Sequence, residues 1–292
     1  MMRVISIQSQ VVHGHVGNSA AVFPMQAKGL EVAAIPTALL SNHPHYPTMH
    51  GRVLEPELVA GLLQGVEERG LIEASRVVVT GYLGSVENAR VVARFIERAH
   101  NRNPDLIYVC DPVMGDDDLG IFVKEGLIET FRDSLVPMAS VITPNQFELE
   151  LLAGSKARSA EGLAMAADEI IRRGTGAVVT TGCVLDDTPD RSVETITRAD
   201  GQLHRTSVMR LNMRPCGTGD IFTALLVAQL CAGRPLAEAT ETATREVFAI
   251  LSRSPSDGPG SDGSGFGGSS SGGSGEMRII GFPFSQFRSV EV

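Results

Sequence analysis

Six short runs rich in valine and isoleucine alternate with longer segments of helical period, and this alternation leaves the chain few architectures. The runs are Arg3–Ile7, Glu31–Ile35, Arg76–Thr80, Ile107–Cys110, Ser140–Thr143 and Ala177–Thr181. The helical patterns cover Pro56–Gly70, Ser85–Asn101, Gln146–Ala153 and Ala160–Gly174. Short, continuously apolar strands joined by long crossovers pair in parallel and are covered by helices on both faces. The expected fold class is α/β, a three-layer α/β/α sandwich on a mostly parallel, doubly wound sheet. In such sheets ligands collect at the carboxyl ends of the strands. Residues 192–210 instead alternate polar and apolar side chains, as at Glu194, Thr195, Ile196 and Thr197, and predict an antiparallel hairpin turning at Asp200–Gly201.

After Leu251 the composition changes abruptly. Residues 252–275 are almost entirely Gly, Ser, Asp and Pro, which bury too little apolar surface to order themselves. The expected organisation is a domain over residues 1–251, a Gly/Ser-rich loop or linker over 252–275, and a segment over 276–292 that packs back on the domain. That segment opens with a strand-like piece, Glu276–Ile280. The formal charge of −9 and the lack of a dense Lys/Arg run argue against a nucleic-acid partner. Met1–Ile7 is too short an apolar run for a signal peptide, and no stretch approaches the roughly 20 apolar residues of a membrane span. Four scattered cysteines without CxxC spacing fit a reducing cytoplasm.

The strongest chemical signal is Arg214-Pro215-Cys216-Gly217-Thr218-Gly219-Asp220, running into the helix-forming stretch from Ile221. Glycines ahead of a helix aim N–H groups at one point, where the helix dipole favours an anion. An aspartate there repels an anion unless it acts as a general base on a hydroxyl attacking a phosphate. The plain alternative is an acid near an N-cap. Asp111 and Asp116, in the turn after Ile107–Cys110, suit Mg²⁺, or form a solvated acidic turn. Glu148, after Thr143-Pro144-Asn145, is either a dipole and capping partner or the acid that orients a metal-bound water. The turn Gly14-His15-Val16-Gly17 lacks the third glycine of a dinucleotide fingerprint, and Ser9 at the strand end suits a small polar substrate. Ser41 to Gly51 holds three histidines and two prolines: a metal site, a substrate lid or a surface loop. Tyr82, in Gly81-Tyr82-Leu83-Gly84, offers an aromatic wall.

With these motifs in order, the chain resembles the pyridoxal kinases of the ribokinase-like superfamily over about Arg3 to Leu251. The resemblance rests on Gln8-Ser9, Gly14 to Asn18, Ser41-Asn42-His43, Gly81-Tyr82, Asp111 to Asp116, Thr143 to Glu148 and Gly217 to Asp220. It implies ATP-dependent phosphorylation of the 5′-hydroxymethyl group of pyridoxal, pyridoxine or pyridoxamine in a homodimer, with Mg²⁺ and a monovalent cation such as K⁺ or Na⁺. By the same resemblance Asp220 is the base, and Gly217, Thr218 and Gly219 form the anion hole. Asp111, Glu148 and Asp116 serve the Mg²⁺–ATP phosphates, and Thr143, Thr180 and Thr181 line the nucleotide side. Ser9, Tyr82 and His43 belong to the substrate side. Pro44 replaces a threonine usual after Ser-Asn-His, and the lid's usual tryptophan is replaced around Met49. Alternatives within reach of the same residues are a hydroxymethylpyrimidine kinase and a non-catalytic binder of vitamin B6 or pyridoxal phosphate.

Overall fold

The computed structural model of the chain describes residues 3–213, 215–254 and 276–286. In chain order the first elements are β1 (Arg3–Val11), α1 (Asn18–Ala27), β2 (Glu31–Leu40), β3 (Gly51–Val53), α2 (Pro56–Glu68) and α3 (Leu71–Ala74). Then come β4 (Ser75–Thr80), α4 (Val86–Arg102), β5 (Ile107–Cys110), the small hairpin β6 (Gly115–Asp116) and β7 (Gly120–Ile121), and α5 (Leu127–Thr130). The remaining elements are β8 (Val141–Ile142), α6 (Gln146–Ala153), α7 (Ala160–Arg172), β9 (Ala177–Cys183), β10 (Ser192–Ala199), β11 (Gln202–Met209), α8 (Thr218–Cys231) and α9 (Leu236–Ser252). Arg214 and the expected linker from residue 255 onward lie outside the described residues.

Among the described residues nine strands form one sheet in the order β11-β10-β9-β8-β5-β4-β1-β2-β3. The strands from β9 to β2 pair in parallel. The pairs β11/β10, β10/β9 and β3/β2 are antiparallel. This is the expected doubly wound sandwich. Its strand order reverses at β1, which lies between β2 and β4, so the crevice opens beside the carboxyl end of β1.

The period of two along each strand feeds two cores. Ile5, Ile7, Val78, Tyr108, Ile142 and Val178 face a cluster with side chains of α2 to α7. Val4, Val77, Val79, Val109, Val141 and Val179 face the opposite cluster, with α1, α8 and α9. Helix α8 is buried at every position from Ile221 to Cys231. A helix apolar all round belongs in the interior, and α8 lies between the sheet, α1 and α9. The predicted hairpin turns where expected: Asp200 (φ 50°) and Gly201 (φ 72°) are both left-handed, as a two-residue type I′ turn requires.

Three features differ from the sequence reading. Strands β1 and β2 extend to Val11 and Leu40: Gln8 pairs with Pro36 and, past a one-residue shift of register, Gln10 pairs with Leu39, despite their polarity. Helix α1 follows the Gly-rich turn directly; Asn18, Ser19 and an internal Pro24 mask its apolar period. The piece from Glu276 forms no strand in the described residues. It meets helices rather than a sheet edge, so its backbone has no ladder to join, and it buries Met277, Ile279, Phe282 and Phe284 in the second core. Phe284 packs edge-on against Phe23 of α1, with ring centroids 5.8 Å apart. Lys28, just past α1, donates to Glu246 Oε1 of α9 at 2.6 Å and to the Phe284 carbonyl at 3.1 Å.

Candidate active site

The N-terminus of α8 is shaped by a glycine that nothing else can replace. Gly217 has φ 82°, and a Cβ there would lie 1.8 Å from the carbonyl oxygen of His15. The first helical bond runs from Ile221 N–H to Gly217 O, so the N–H groups of Thr218 and Gly219 have no acceptor within the helix. They point, with the positive end of the helix dipole, toward an incoming anion. Thr218 Oγ1 donates to the Pro215 carbonyl at 2.9 Å and holds the loop in shape. Asp220, in the first turn, accepts a hydrogen bond from the Gly17 N–H, yet burial pushes its carboxyl above the usual aspartate range.

Gly17 is itself constrained. At φ 54° a Cβ would fall 2.2 Å from the Ser9 carbonyl oxygen and 2.5 Å from Ser9 Oγ. Gly17→Ala therefore meets backbone that cannot rotate away, and strain of this kind costs about 1–3 kcal/mol before any clash. Gly29 has φ 85° but nothing within 4 Å of its Cβ position. Urea denaturation should show Gly17→Ala losing clearly more stability than Gly29→Ala; equal losses would disprove the packing argument.

Opposite Asp220 lies Asp111, at the carboxyl end of β5. Its Oδ2 accepts from Thr223 Oγ1 at 3.2 Å and lies 3.9 Å from where a Cβ on Gly219 would be. Thr223 in turn shares a 2.9 Å bond with Thr143 Oγ1. Since the Thr223 hydrogen goes to Asp111, Thr143 donates in that bond. Burial first, then the charges of Glu148 and Asp220, push the Asp111 carboxyl well up.

Glu148 is the capping partner that the plain sequence reading describes. Asn145 Oδ1 accepts from the Glu148 N–H, and Glu148 Oε2 accepts from the Asn145 N–H, both at 2.9 Å. Glu148 Oε1 also accepts from the Met114 N–H at 2.8 Å and, more weakly, from Gly115 at 3.4 Å. The carboxylate thus clasps the turn after β5 to the start of α6. Burial pushes its pKa up to about 7, against the pull of these N–H groups, and the Asp116 charge adds to the rise. Asp116 Oδ1 accepts from the N–H groups of Asp118 and Leu119 and shapes the β6–β7 turn. Beyond Thr143, Thr180 is buried with its hydroxyl unpartnered among the described residues. Half-buried Thr181 is tied to Pro144 O at 2.9 Å.

On the far side of Asp220, Ser9 packs against Gly17, and half-buried Tyr82 is fixed through its carbonyl by Thr37 Oγ1 at 2.6 Å. The loop over residues 41–50 closes on itself: Ser41 N–H donates to His50 O at 2.7 Å, and Asn42 Nδ2 to Thr48 O at 2.9 Å. Buried His43 meets Glu276 Oε1 through Nε2 at 2.9 Å, and the Tyr46 hydroxyl donates to the same oxygen at 2.9 Å. Burial holds the His43 pKa below the ordinary histidine value. Pro44 and Met49 both stand exposed.

The fold therefore gathers Asp220, Gly217 to Gly219, Asp111, Thr143 and Glu148 around one crevice, with Ser9 behind the Asp220 loop and His43 in the loop over residues 41–50. Two contributors escaped the sequence reading. Thr223 carries a faint signal, a lone hydroxyl in an apolar run three residues after Asp220. Glu276 carries none, because only the fold brings it to His43.

A family profile described as phosphomethylpyrimidine kinase matches residues 17–263. A pyridoxine/pyridoxal/pyridoxamine kinase of Bordetella avium is 43% identical over 249 residues, covering 85% of this chain and 84% of that relative. Pyridoxal kinase PdxY of Rubrobacter xylanophilus is 39% identical over 256 residues, covering 87% and 88%. Among solved structures, the pyridoxal kinase of Leishmania donovani in complex with ADP and pyridoxine superposes with a TM-score of 0.84 at 30% identity, over 96% of this chain and 94% of that one.

Proposed function

The chain belongs to the phosphomethylpyrimidine kinase family and, within it, to the pyridoxal kinases, and from that premise we propose how its residues carry the reaction. The protein phosphorylates the 5′-hydroxymethyl group of pyridoxal, pyridoxine or pyridoxamine with ATP. The observation that carries the mechanism is a carboxylate, Asp220, held in the same helical turn as the free N–H groups of Thr218 and Gly219. As the substrate oxygen attacks the γ-phosphorus, its proton passes to the Asp220 carboxylate. The bond between the γ-phosphorus and the bridging oxygen breaks, and ADP leaves with that electron pair. The N–H groups of Gly217, Thr218 and Gly219 receive the charge on the transferred phosphoryl group, which is positioning and electrostatic work rather than covalent catalysis.

Magnesium fits the acids here. Asp111, Glu148 and Asp116 offer only hard oxygen donors, and no ion pair of the described residues involves Asp111, Glu148 or Asp220. Asp111 would hold the ion, with Glu148 and Asp116 acting through water because backbone N–H groups already occupy part of each carboxylate. When bound, Mg²⁺ neutralises triphosphate charge. Thr143, Thr180 and Thr181 line the nucleotide side; Ser9 and Tyr82 contact the pyridine ring or its substituents, with His43 nearby on the substrate side. A monovalent cation such as K⁺ or Na⁺ and a cytoplasmic homodimer complete the reading. Free cysteines fit the compartment, and exposed Val12 and Leu39 near the β3 edge fit a subunit contact. No helix of the described residues is long and apolar enough to cross a membrane. We further read residues 3–251 as one kinase domain completed by 276–286.

The test is ADP release in the presence of each vitamer and of hydroxymethylpyrimidine, with and without Mg²⁺. Release should require both Mg²⁺ and a B6 vitamer. Faster turnover of hydroxymethylpyrimidine at equal concentration, or pyridoxal phosphate binding without ADP release, would replace this reading with one of its rivals.

A further inference from the structure

Apart from the acids and the phosphate loop, the mouth of the crevice carries a second donor set. His43 and His45 of the loop after β2 and Cys216 of the loop before α8 each offer one ligand atom, all within 4.8 Å of one another. The two segments are far apart in sequence and meet only because the first folds over the second.

The environment of His43 is that of a metal ligand. Its Nδ1 accepts a long 3.3 Å hydrogen bond from the His45 N–H, which leaves the ring proton on Nε2. That Nε2–H donates to Glu276 Oε1 at 2.9 Å. A carboxylate behind one ring nitrogen, orienting the ring and raising the basicity of the other, is the usual outer shell of a metal-bound histidine. Tyr46 donates to the same Glu276 oxygen and fixes the carboxylate in turn.

We propose that His43 Nδ1, His45 and Cys216 Sγ form a binding site for Zn²⁺ or a neighbouring late first-row divalent ion. Two imidazole nitrogens and a thiolate with a fourth position open to water suit such ions, whereas Mg²⁺ prefers oxygen. Ligand bonds of about 2.0–2.3 Å in tetrahedral geometry require the donors to draw in by about 1 Å. The exposed His45 ring is free to supply that movement. When the metal binds, the Cys216 thiol proton leaves to solvent and the His45 N–H gives up its long 3.3 Å bond to His43 Nδ1, whose lone pair goes to the ion. Burial and the nearby carboxylates of Asp220, Glu276 and Asp116 push that thiol up to about 12, so the metal-free protein holds the proton and each ion bound releases one. The same carboxylates draw a dication to the place. An ion there pins His43 and His45 to the loop that carries the anion hole. Ion binding at this place does not depend on which alcohol is phosphorylated.

The full-length protein titrated with Co²⁺ in excess Mg²⁺ tests this directly. We expect one equivalent to bind with the visible bands of a four-coordinate ion and the near-ultraviolet charge-transfer band of a thiolate ligand, and Zn²⁺ to displace it. Cys216→Ala should abolish the thiolate band, His45→Gln should weaken affinity more than tenfold, and Glu276→Gln should weaken it by about 10–100-fold as an outer-shell change. Circular dichroism establishes that each variant is folded. Absence of the thiolate band in the unaltered protein, or unchanged affinity in both Cys216→Ala and His45→Gln, would overturn the site.

Discussion

Asp220→Asn should lower kcat by about 10²–10⁴-fold, the usual contribution of a positioned general base. The substitution keeps the side-chain volume and an oxygen for the Gly17 N–H, so the loop keeps its shape while the proton acceptor disappears. Affinity for ATP should change little, because the N–H groups of the anion hole are untouched. The pH profile supplies an independent check. Burial raises the Asp220 carboxyl above its ordinary value of 3.8, and the deprotonated form is the active one. Turnover should therefore fall as pH falls through that raised value, earlier than an exposed aspartate would permit. The Asn variant should lose the Asp220 component of the acid limb, and what remains belongs to Asp111 and Glu148, whose carboxyls burial also raises. An unchanged kcat in a folded Asp220→Asn protein would remove Asp220 from the role of base.

The second large effect is on stability. Lys28→Ala strips the partner from Glu246, whose side chain is 0% exposed, while Lys28 itself is 13% exposed. Breaking one side of a buried ion pair costs about 3–5 kcal/mol, and here the remaining charge keeps only the weaker help of Gln229 and Arg234, which places the loss toward the lower end. The loss also frees the Phe284 carbonyl, so the segment from Glu276 loosens with it. The pH dependence follows from the same groups. Burial raises the Glu246 carboxyl above the ordinary glutamate value even with Lys28 present. Native Glu246 thus binds a proton more readily than the unfolded chain does, and this group's contribution to stability falls as pH rises through the raised value. Without Lys28 the rise is larger. The gap between the two proteins, measured by urea denaturation, should be widest at neutral pH and narrow toward the ordinary glutamate range. A gap under about 1 kcal/mol at neutral pH, the worth of an exposed pair, would show that the pair is effectively solvated.

What the sequence discloses and what it hides follow physical lines. Strands β4, β5 and β9 are legible because continuous Val/Ile runs are both the signal and the cause of burial on two faces. The hairpin β10–β11 is legible because alternation and Asp200–Gly201 fix its register. Helix α1 is hidden, since Asn18 is spent on the interior: its Nδ2 donates to the carbonyls of Gln8 and Ile35, joining two neighbouring strands. The phosphate loop is visible in four residues because glycine, dipole and acid are local features. Glu148 shows the limit of such reading. Its position near a helix start was plain, but its grip on Met114 requires the turn after β5 to be folded beside it. Glu276 lies further out still, because a contact across 233 residues leaves no local pattern.

The way back from α9 has a consequence for how this chain tolerates change. Arg278 N–H donates to Ser254 Oγ at 2.9 Å, so the two ends of the intervening Gly/Ser-rich tract are held one hydrogen bond apart. A guest domain whose own termini lie close together should therefore be tolerated between Ser254 and Glu276. Severing the chain there is another matter, since the described residues beyond it bring Glu276 to His43 and bury Phe282 and Phe284 in the second core.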